Sequence, residues 1–323
     1  MKTNVVVVIP NWNGEDFIAE CLTSLQRQGY KHDVIVVENG SKDDSIDIIE
    51  SKFPNVRILK FKDNAGFAGG VNRGIRPALD ENYEYIALFN NDAFASKEWL
   101  SELVRAGDGH PEAGVVTGKF MRMDKKHIDS TGDNYSVWAM PFPRGRNQVD
   151  SGQYDTPEYV FSGTGGASLY RASMLQEIGL FDEEFFAYYE DVDISFRAQL
   201  YGWKVWYQPA AIAYHHVSGT SSKLGEFSRF HATKNFYMLY AKNMPARLYW
   251  KYGLFFLIQA ARLLASSILR GHGLVHIKGI IKAFANSPHI TRERLRNQRG
   301  RKVSAKEIDA LLYKHRPPRI PKI

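Results

Sequence analysis

Asn4-Val5-Val6-Val7-Val8-Ile9-Pro10-Asn11-Trp12-Asn13 decides how the rest of the chain is read. Five β-branched residues follow one another without a polar break, and the run stops at a proline and an Asn-Trp-Asn turn. An unbroken run of this length predicts a strand buried on both faces, the habit of parallel sheets covered by helices. It is too short for the apolar core of a secretion signal. Working outward, further short β-branched or aromatic runs predict strands at 33–37, 56–61, 85–89 and 115–120. Helices fit between them at about 15–28, 42–52, 66–80 and 97–108. This alternation predicts an α/β fold, with a Rossmann-like, mostly parallel central sheet flanked by helices. Ligands of such sheets gather beyond the carboxyl ends of the strands.

Those ends read Pro10-Asn11-Trp12-Asn13, Glu38-Asn39-Gly40-Ser41, Asp63-Asn64-Ala65-Gly66 and Asn90-Asn91-Asp92. Asn, Asp and Gly also serve turns, but four polar tips along one sheet edge predict a shared ligand crevice. Residues 64–74 form a glycine-rich strand-to-helix turn. Its backbone N–H groups, Gly69 among them, can approach a phosphate or sugar, or its glycines can serve close packing alone. The turn lacks the Gly-Lys-Ser/Thr end of a P-loop and the spacing of a dinucleotide fingerprint, which argues against an NTPase and a nicotinamide dehydrogenase.

The densest chemistry lies at Phe185-Phe186-Ala187-Tyr188-Tyr189-Glu190-Asp191-Val192-Asp193. Three carboxylates fall within four positions at the start of a helix expected over about 191–201. Capping accounts for one or two of them. A carboxylate desolvated by the preceding aromatics is suited to general-base work. Asn90-Asn91-Asp92 offers the oxygen ligands that Mg²⁺ or Mn²⁺ shares with a diphosphate. His215-His216, at the end of strands expected near 204–208 and 211–214, can add one ligand or serve structure. Residues 121–160 read as an irregular surface excursion, suited to a mobile loop on the acceptor side.

In order along the chain stand Val-Val-Ile-Pro-Asn-Trp-Asn (7–13), Val-Val-Glu-Asn-Gly-Ser (36–41), Asn-x-Gly-Phe-Ala-Gly-Gly-x-Asn-x-Gly (64–74), Asn-Asn-Asp (90–92), Gly-Thr-Gly-Gly-Ala (163–167), Phe-Asp-Glu-x-Phe-Phe (181–186) and Glu-Asp-Val-Asp (190–193). Over residues 4–240 this series resembles glycosyltransferase family 2, most of all its rhamnosyltransferase-like branch. The resemblance implies a GT-A-type fold and transfer of a sugar, with inversion, from a nucleotide-sugar donor. It implies that Pro10, Asn11, Asn13, Glu38, Asn64, Gly69 and Asn91 bind the nucleotide sugar. Asp92 and His215, with His216 in reserve, are the implied ligands of Mg²⁺ or Mn²⁺. Asp191 is the implied catalytic base, and Glu190 beside it orients donor or acceptor. Two positions depart from the commoner pattern: Asn90 replaces the first Asp of the metal motif, and Glu38 replaces the usual nucleoside Asp. The Asn-Asn-Asp form suits the rhamnosyl-like branch, so a dTDP-linked rhamnose is the expected donor. A UDP-linked hexose or galactofuranose is the alternative.

Composition agrees with an enzyme of the cytoplasm. The 323 residues are 44% hydrophobic and 24% charged, an ordinary globular balance, and the lone Cys21 excludes an intramolecular disulfide. The expected organisation is a catalytic domain over 1–225, with a nucleotide-sugar half to about 120 and an acceptor half beyond. A helical extension over 226–287 and a basic tail over 288–323 follow. That tail carries eleven Lys or Arg against three acids, whereas the whole chain has a net charge of +7. The apolar stretch 246–270 is interrupted by Lys251, Arg262 and Arg270, which predicts an interfacial helix rather than a spanning one. Together these predict peripheral attachment to an anionic inner membrane face, and a saccharide or lipid-linked saccharide as acceptor. A nucleic-acid partner is not expected, because the tail lacks interleaved aromatics. A non-catalytic glycan-binding module has no need of the carboxylates.

Overall fold

The computed structural model describes residues 4–216 and 225–321; Lys322 of the basic segment lies outside the described residues. Strands β1 (Val5–Asn11), β2 (Asp33–Asn39), β3 (Arg57–Phe61) and β4 (Tyr85–Phe89) alternate with helices α1 (Ile18–Gln26), α2 (Ser45–Lys52) and α3 (Gly66–Asp80). A short β5 (Ala93–Ala95), α4 (Trp99–Gly109) and β6 (Ala113–Arg122) come next. The excursion is less irregular than its sequence reads, because it holds β7 (Ile128–Ser130), β8 (Asp133–Tyr135), β9 (Pro141–Pro143) and β10 (Glu158–Val160). Then come β11 (Ala167–Arg171), α5 (Ala172–Ile178), α6 (Glu190–Leu200) and β12 (Lys204–His215). The two strands expected over 204–214 are one strand, bulged between Gln208 and Ile212.

The main sheet runs β10-β12-β6-β11-β4-β1-β2-β3. Pairings β4-β1, β1-β2 and β2-β3 are parallel, β11 is antiparallel to both β4 and β6, and β12 is parallel to β6. The opening valine run is buried on both faces: Val5, Val7 and Ile9 join one core cluster, and Val6 and Val8 the other. Each such side chain contributes about 1.5–3 kcal/mol of burial. The same strand opens the site. Its register with β4 stops at Val8–Leu88, whereas its register with β2 continues to Asn11–Glu38. Pro10, which has no N–H to give, thus sits where the ladder to β4 has already ended. Helix α3 lies close on this region, since a Cβ at Gly74 would stand 2.4 Å from a methyl of Val8.

The C-terminal third is helical: α7 (Gly225–Asn243), α8 (Ala246–Lys251), α9 (Gly253–Leu269), α10 (Gly273–Ala285), α11 (Ser287–Gly300) and α12 (Ala305–Leu311). Among the described residues no helix is long and apolar enough to cross a membrane. The basic segment does not stand apart from the body as its charge suggests. Arg294 donates to the carbonyls of Ala241 and Met244 at 2.7 and 2.8 Å, and Arg296 donates to that of Ile178 at 2.5 Å. Buried Asn297 donates to Asn243 at 2.9 Å. Two of its eleven cations, Arg294 and Arg296, thus meet carbonyls at helix ends.

Candidate active site

Beyond the carboxyl ends of β1 and β4 lies a cleft of about 1090 Å³, room for a nucleotide sugar and part of an acceptor. Its walls include Pro10, Asn11, Asn64, Asn91, Asp92, Glu190, Asp191 and His215, so residues far apart in the chain face one cavity. Three expected nucleotide contacts stand outside its wall. Glu38 is buried and accepts hydrogen bonds from Asn11 Nδ2 at 2.8 Å and the Ser41 N–H at 2.6 Å, so it acts by holding Asn11. Asn13 is exposed and tied to the Ser41–Lys42 turn. Gly69 packs within α3, where an added Cβ would lie 2.6 Å from that of Ala65. The glycine of this turn that reaches the cleft is Gly66, at φ +73°, where a Cβ would lie 2.3 Å from the carbonyl oxygen of Phe186.

Asp191 enters through an unusual turn. Phe186, Tyr188 and Tyr189 all have left-handed backbone, with φ of 64°, 72° and 70°. Non-glycine residues there cost on the order of 1–3 kcal/mol each and need outside support. The buried side chain of Asn235 supplies it, its Nδ2 lying 2.9, 2.8 and 2.7 Å from the carbonyls of Phe185, Ala187 and Tyr188. The turn delivers Asp191 to the start of α6, where its carboxylate accepts from the N–H groups of Gly165 at 2.9 Å and Val192 at 2.8 Å. Burial raises its pKa, and those two donors work against the rise. Burial and the charge of Asp191 push Glu190 well above the carboxylate range, and one of its carboxyl oxygens is buried without a partner. Asp133, at the start of β8, lines the same cleft; burial and Asp191 push it up to about 8.

At the other side of the cleft Asp92 Oδ1 lies 3.1 Å from His215 Nε2, and His215 Nδ1 lies 3.0 Å from Asp129 Oδ2. Pairing of Tyr214 and His215 with Phe94 and Ala93 brings β12 to the Asn90–Asp92 tip. Burial alone lowers the His215 pKa, but the two carboxylates raise it to about 9. Burial opposes the charge of Asp129, yet His215 and Arg146 hold its carboxyl below the ordinary value. The donor set fits a divalent cation. A carboxylate and an imidazole nitrogen meet at one point, and Asp129 fixes the tautomer from behind in the manner of a carboxylate–histidine–metal triad. Among the described residues no three His, Cys, Asp or Glu side chains form a ready-made metal cage, so further ligands would come from substrate oxygens and water, as is usual for Mg²⁺. His216 is no part of this set, because it pairs with Glu20 at 3.1 Å.

Asp133, Asp129, Arg146 and Asn235 carry no motif by which the sequence picks them out, whereas Thr164, Gly165 and Gly166 fall in the Gly-Thr-Gly-Gly-Ala stretch. The first three lie in the excursion, whose β7 pairs with β6 and places Asp129 behind His215, while Asp133 and Arg146 line the cleft.

The architecture is that of the GT-A glycosyltransferases. It is similar to the mannosyltransferase PcManGT from Pyrobaculum calidifontis, solved with GDP-Man and Mn²⁺, at TM-score 0.56 and 16% identity over 93% of this chain and 86% of that one. It is also similar to GalNAc-T7, solved with UDP, GalNAc and Mn²⁺, at TM-score 0.62 and 13% identity over 81% and 51%. The profile of glycosyl transferase family 2 matches residues 6–179, more than half of the chain, and the chain belongs to that family. Poly-beta-1,6-N-acetyl-D-glucosamine synthases of Staphylococcus aureus (strain MSSA476) and Staphylococcus epidermidis are 22% and 24% identical to it over 65% and 63% of the chain. The chain spans about half the length of these curated relatives, 49% and 47%.

Proposed function

We propose that this glycosyltransferase moves a sugar, with inversion, from a nucleotide-linked donor to a saccharide or lipid-linked saccharide acceptor in building a cell-surface polysaccharide. The observation that carries the reading is that Asp191 and the Asp92–His215 pair face one cleft. The donor nucleotide lies along the strand tips, held by Pro10, Asn11, Asn64 and Asn91, with Glu38 fixing Asn11. The acceptor oxygen bonds to the anomeric carbon as the bond from that carbon to the phosphate oxygen breaks. The electron pair leaves with the nucleoside diphosphate, and the acceptor's proton passes to Asp191. Glu190 beside it orients donor or acceptor. Asp92 and His215 would hold Mg²⁺ or Mn²⁺, which when bound supplies charge neutralisation for the departing diphosphate. Residues to about 120 form the donor half, residues 121–225 the acceptor half, and the later helices a buttress.

The Asn90-Asn91-Asp92 tip supports a dTDP-linked rhamnose as donor. The relatives named for N-acetyl-D-glucosamine favour the alternative, a UDP-linked hexose-type donor. Release of nucleoside diphosphate from a panel of dTDP-, UDP- and GDP-sugars, with Mn²⁺ present, separates the two. Release from dTDP-rhamnose in preference to the UDP-sugars supports the first, and release from none rejects sugar transfer by this chain.

Attachment to the inner face of the cell membrane belongs to the same proposal. Trp250, Leu254, Leu257, Leu269, Leu274 and Phe284 are exposed on α8, α9 and α10, among exposed Lys251, Arg262, Arg270 and Lys278. Apolar side chains flanked by cations suit the headgroup layer of an anionic bilayer. Absence of flotation with phosphatidylglycerol liposomes at low salt rules this out.

A further inference from the structure

We propose that the chain's own C-terminal segment, Tyr313–Pro321, is the acceptor-side wall of the cleft and selects the saccharide that is admitted; this deepens the sugar-transfer reading and rests on it. The segment is fastened along its length. The Tyr313 N–H donates to the Tyr135 carbonyl at 2.9 Å, and the Val137 N–H donates to the Tyr313 carbonyl at 3.0 Å. The Tyr313 ring meets that of Phe142 edge-on at 5.1 Å, and the Arg316 guanidinium lies 4.5 Å from the centre of the Trp138 ring. Asn147 Nδ2 donates to the Pro321 carbonyl at 2.6 Å. Between these fasteners Pro317, Pro318 and Ile320 line the cleft.

All the fasteners lie on the excursion between β6 and β11, which also carries Asp133. Asp133 is tied to the base through Ser162: the Asp133 N–H donates to the Ser162 carbonyl at 2.7 Å, and Ser162 Oγ donates to the Asp191 carbonyl at 3.3 Å. Part of the strap's footing is therefore linked to the base, where an acceptor hydroxyl must arrive. Its chemistry fits a sugar. Proline has a fixed φ and no N–H to satisfy, so two prolines and an isoleucine present a stiff surface of C–H groups at little entropic cost. With Pro141 and Phe142 they form an apolar wall beside the polar Asp133 and Arg146. A pyranose has the same division, with a C–H face to lie on such a wall and hydroxyls for the carboxylates.

The test compares the intact chain with a chain ending at His315 and with Ile320→Glu, which leaves every fastener in place. Each is given the donor its nucleotide-release assay selects, with Mn²⁺, and the p-nitrophenyl glycosides of rhamnose, N-acetylglucosamine, glucose and galactose. Both altered chains are expected to show a ratio of new glycoside to released nucleotide at least tenfold lower, or a changed order of preference among the glycosides. An unchanged ratio and order, with both products falling alongside the melting temperature, overturns the proposal in favour of a structural strap. A rise in both products on truncation overturns it in favour of an inhibitory one. Failure of the intact chain to release nucleotide from any donor instead removes the sugar-transfer reading beneath it.

Discussion

The side-chain amide of Asn235 lies 2.7 Å from the main-chain carbonyl of Tyr188, joining α7 to the turn that leads into Glu190 and Asp191. That turn has three left-handed residues, and the amide that bonds three of its carbonyls is itself fully buried. Asn235→Ala leaves buried carbonyls unpaired, at about 1–3 kcal/mol for each one left without a donor. The loss of stability is expected in urea denaturation. Turnover should fall further than nucleoside diphosphate binding, because a displacement of ~1 Å at the reacting groups can cost ~10²-fold, and the strand tips do not rest on α7. Equal losses in turnover and in calorimetric nucleotide affinity would show that Asn235 does not act through the turn.

Asp191→Asn keeps an acceptor for the Gly165 N–H and should fold normally. Turnover is expected to drop ~10²–10⁴-fold, the usual loss for a general base. On the proposed mechanism Asp191 works only when ionised, and burial raises its pKa. The acid limb of kcat/KM should therefore have its midpoint above the ordinary aspartate value of about 4. A midpoint at or below that value argues against a buried base.

Asp133 gives a stability prediction of opposite sign from the usual carboxylate. Its folded pKa is pushed up to about 8, while the unfolded chain releases that proton near ~4. Below both values the two states hold the proton alike. Between them only the folded state keeps it, so rising pH favours unfolding across that window. Asp133→Asn removes the cost and should stabilise the protein by at least about 1 kcal/mol at pH 8, one pKa unit being worth about 1.4 kcal/mol. At pH 4 the gain should vanish. Melting curves of both proteins at the two pH values test it.

Asp129 touches the imidazole of His215, on the side away from Asp92. Partners of this kind typically contribute 10–100-fold to metal affinity. Asp129→Asn should weaken Mn²⁺ binding, read by calorimetry in the presence of UDP, by about that factor. Excess EDTA should abolish turnover in the unaltered enzyme.

The strands and helices of the donor half were legible because burial on both faces leaves long apolar runs, and turn residues punctuate them. The places of Pro10, Asn11 and Asn64 on the cleft wall followed, since a parallel sheet opens its crevice at the strand tips. Asp191 stood out by the density of acids around it. Asp129, Asp133 and Asn235 were not legible, because their roles arise from contacts across 86, 29 and 47 residues of chain that no local pattern encodes. The packing of the basic segment was hidden for a related reason. A count of Lys and Arg records charge but not the carbonyls that Arg294 and Arg296 meet.

The C-terminal helices are part of the catalytic domain's stability, and Lys242 is where that is measured. Its Nζ, fully buried on α7, lies 2.5 Å from Asp182 and 2.9 Å from Asp193, a residue of α6 two positions beyond the base. Asp193 also accepts from Arg197 and Asn243, at 2.9 and 2.7 Å. Removing one member of such a network strands buried charge and costs about 3–5 kcal/mol, so Lys242→Met should be severely destabilised in urea at pH 7. Acid should narrow the difference. Burial opposes ionisation of Asp182, but Lys242 and His289 together hold its carboxyl well below the usual range. That contribution is present above the unfolded value of about 4 and is lost as pH falls through the folded one. The unaltered protein should thus lose stability on acidification more steeply than Lys242→Met. Pairing Lys242→Met with Asp182→Asn should recover part of the loss at pH 7. A Lys242→Met protein within about 1 kcal/mol of the unaltered one would mean that this buried ion network adds little to the hold of the helices on the sheet.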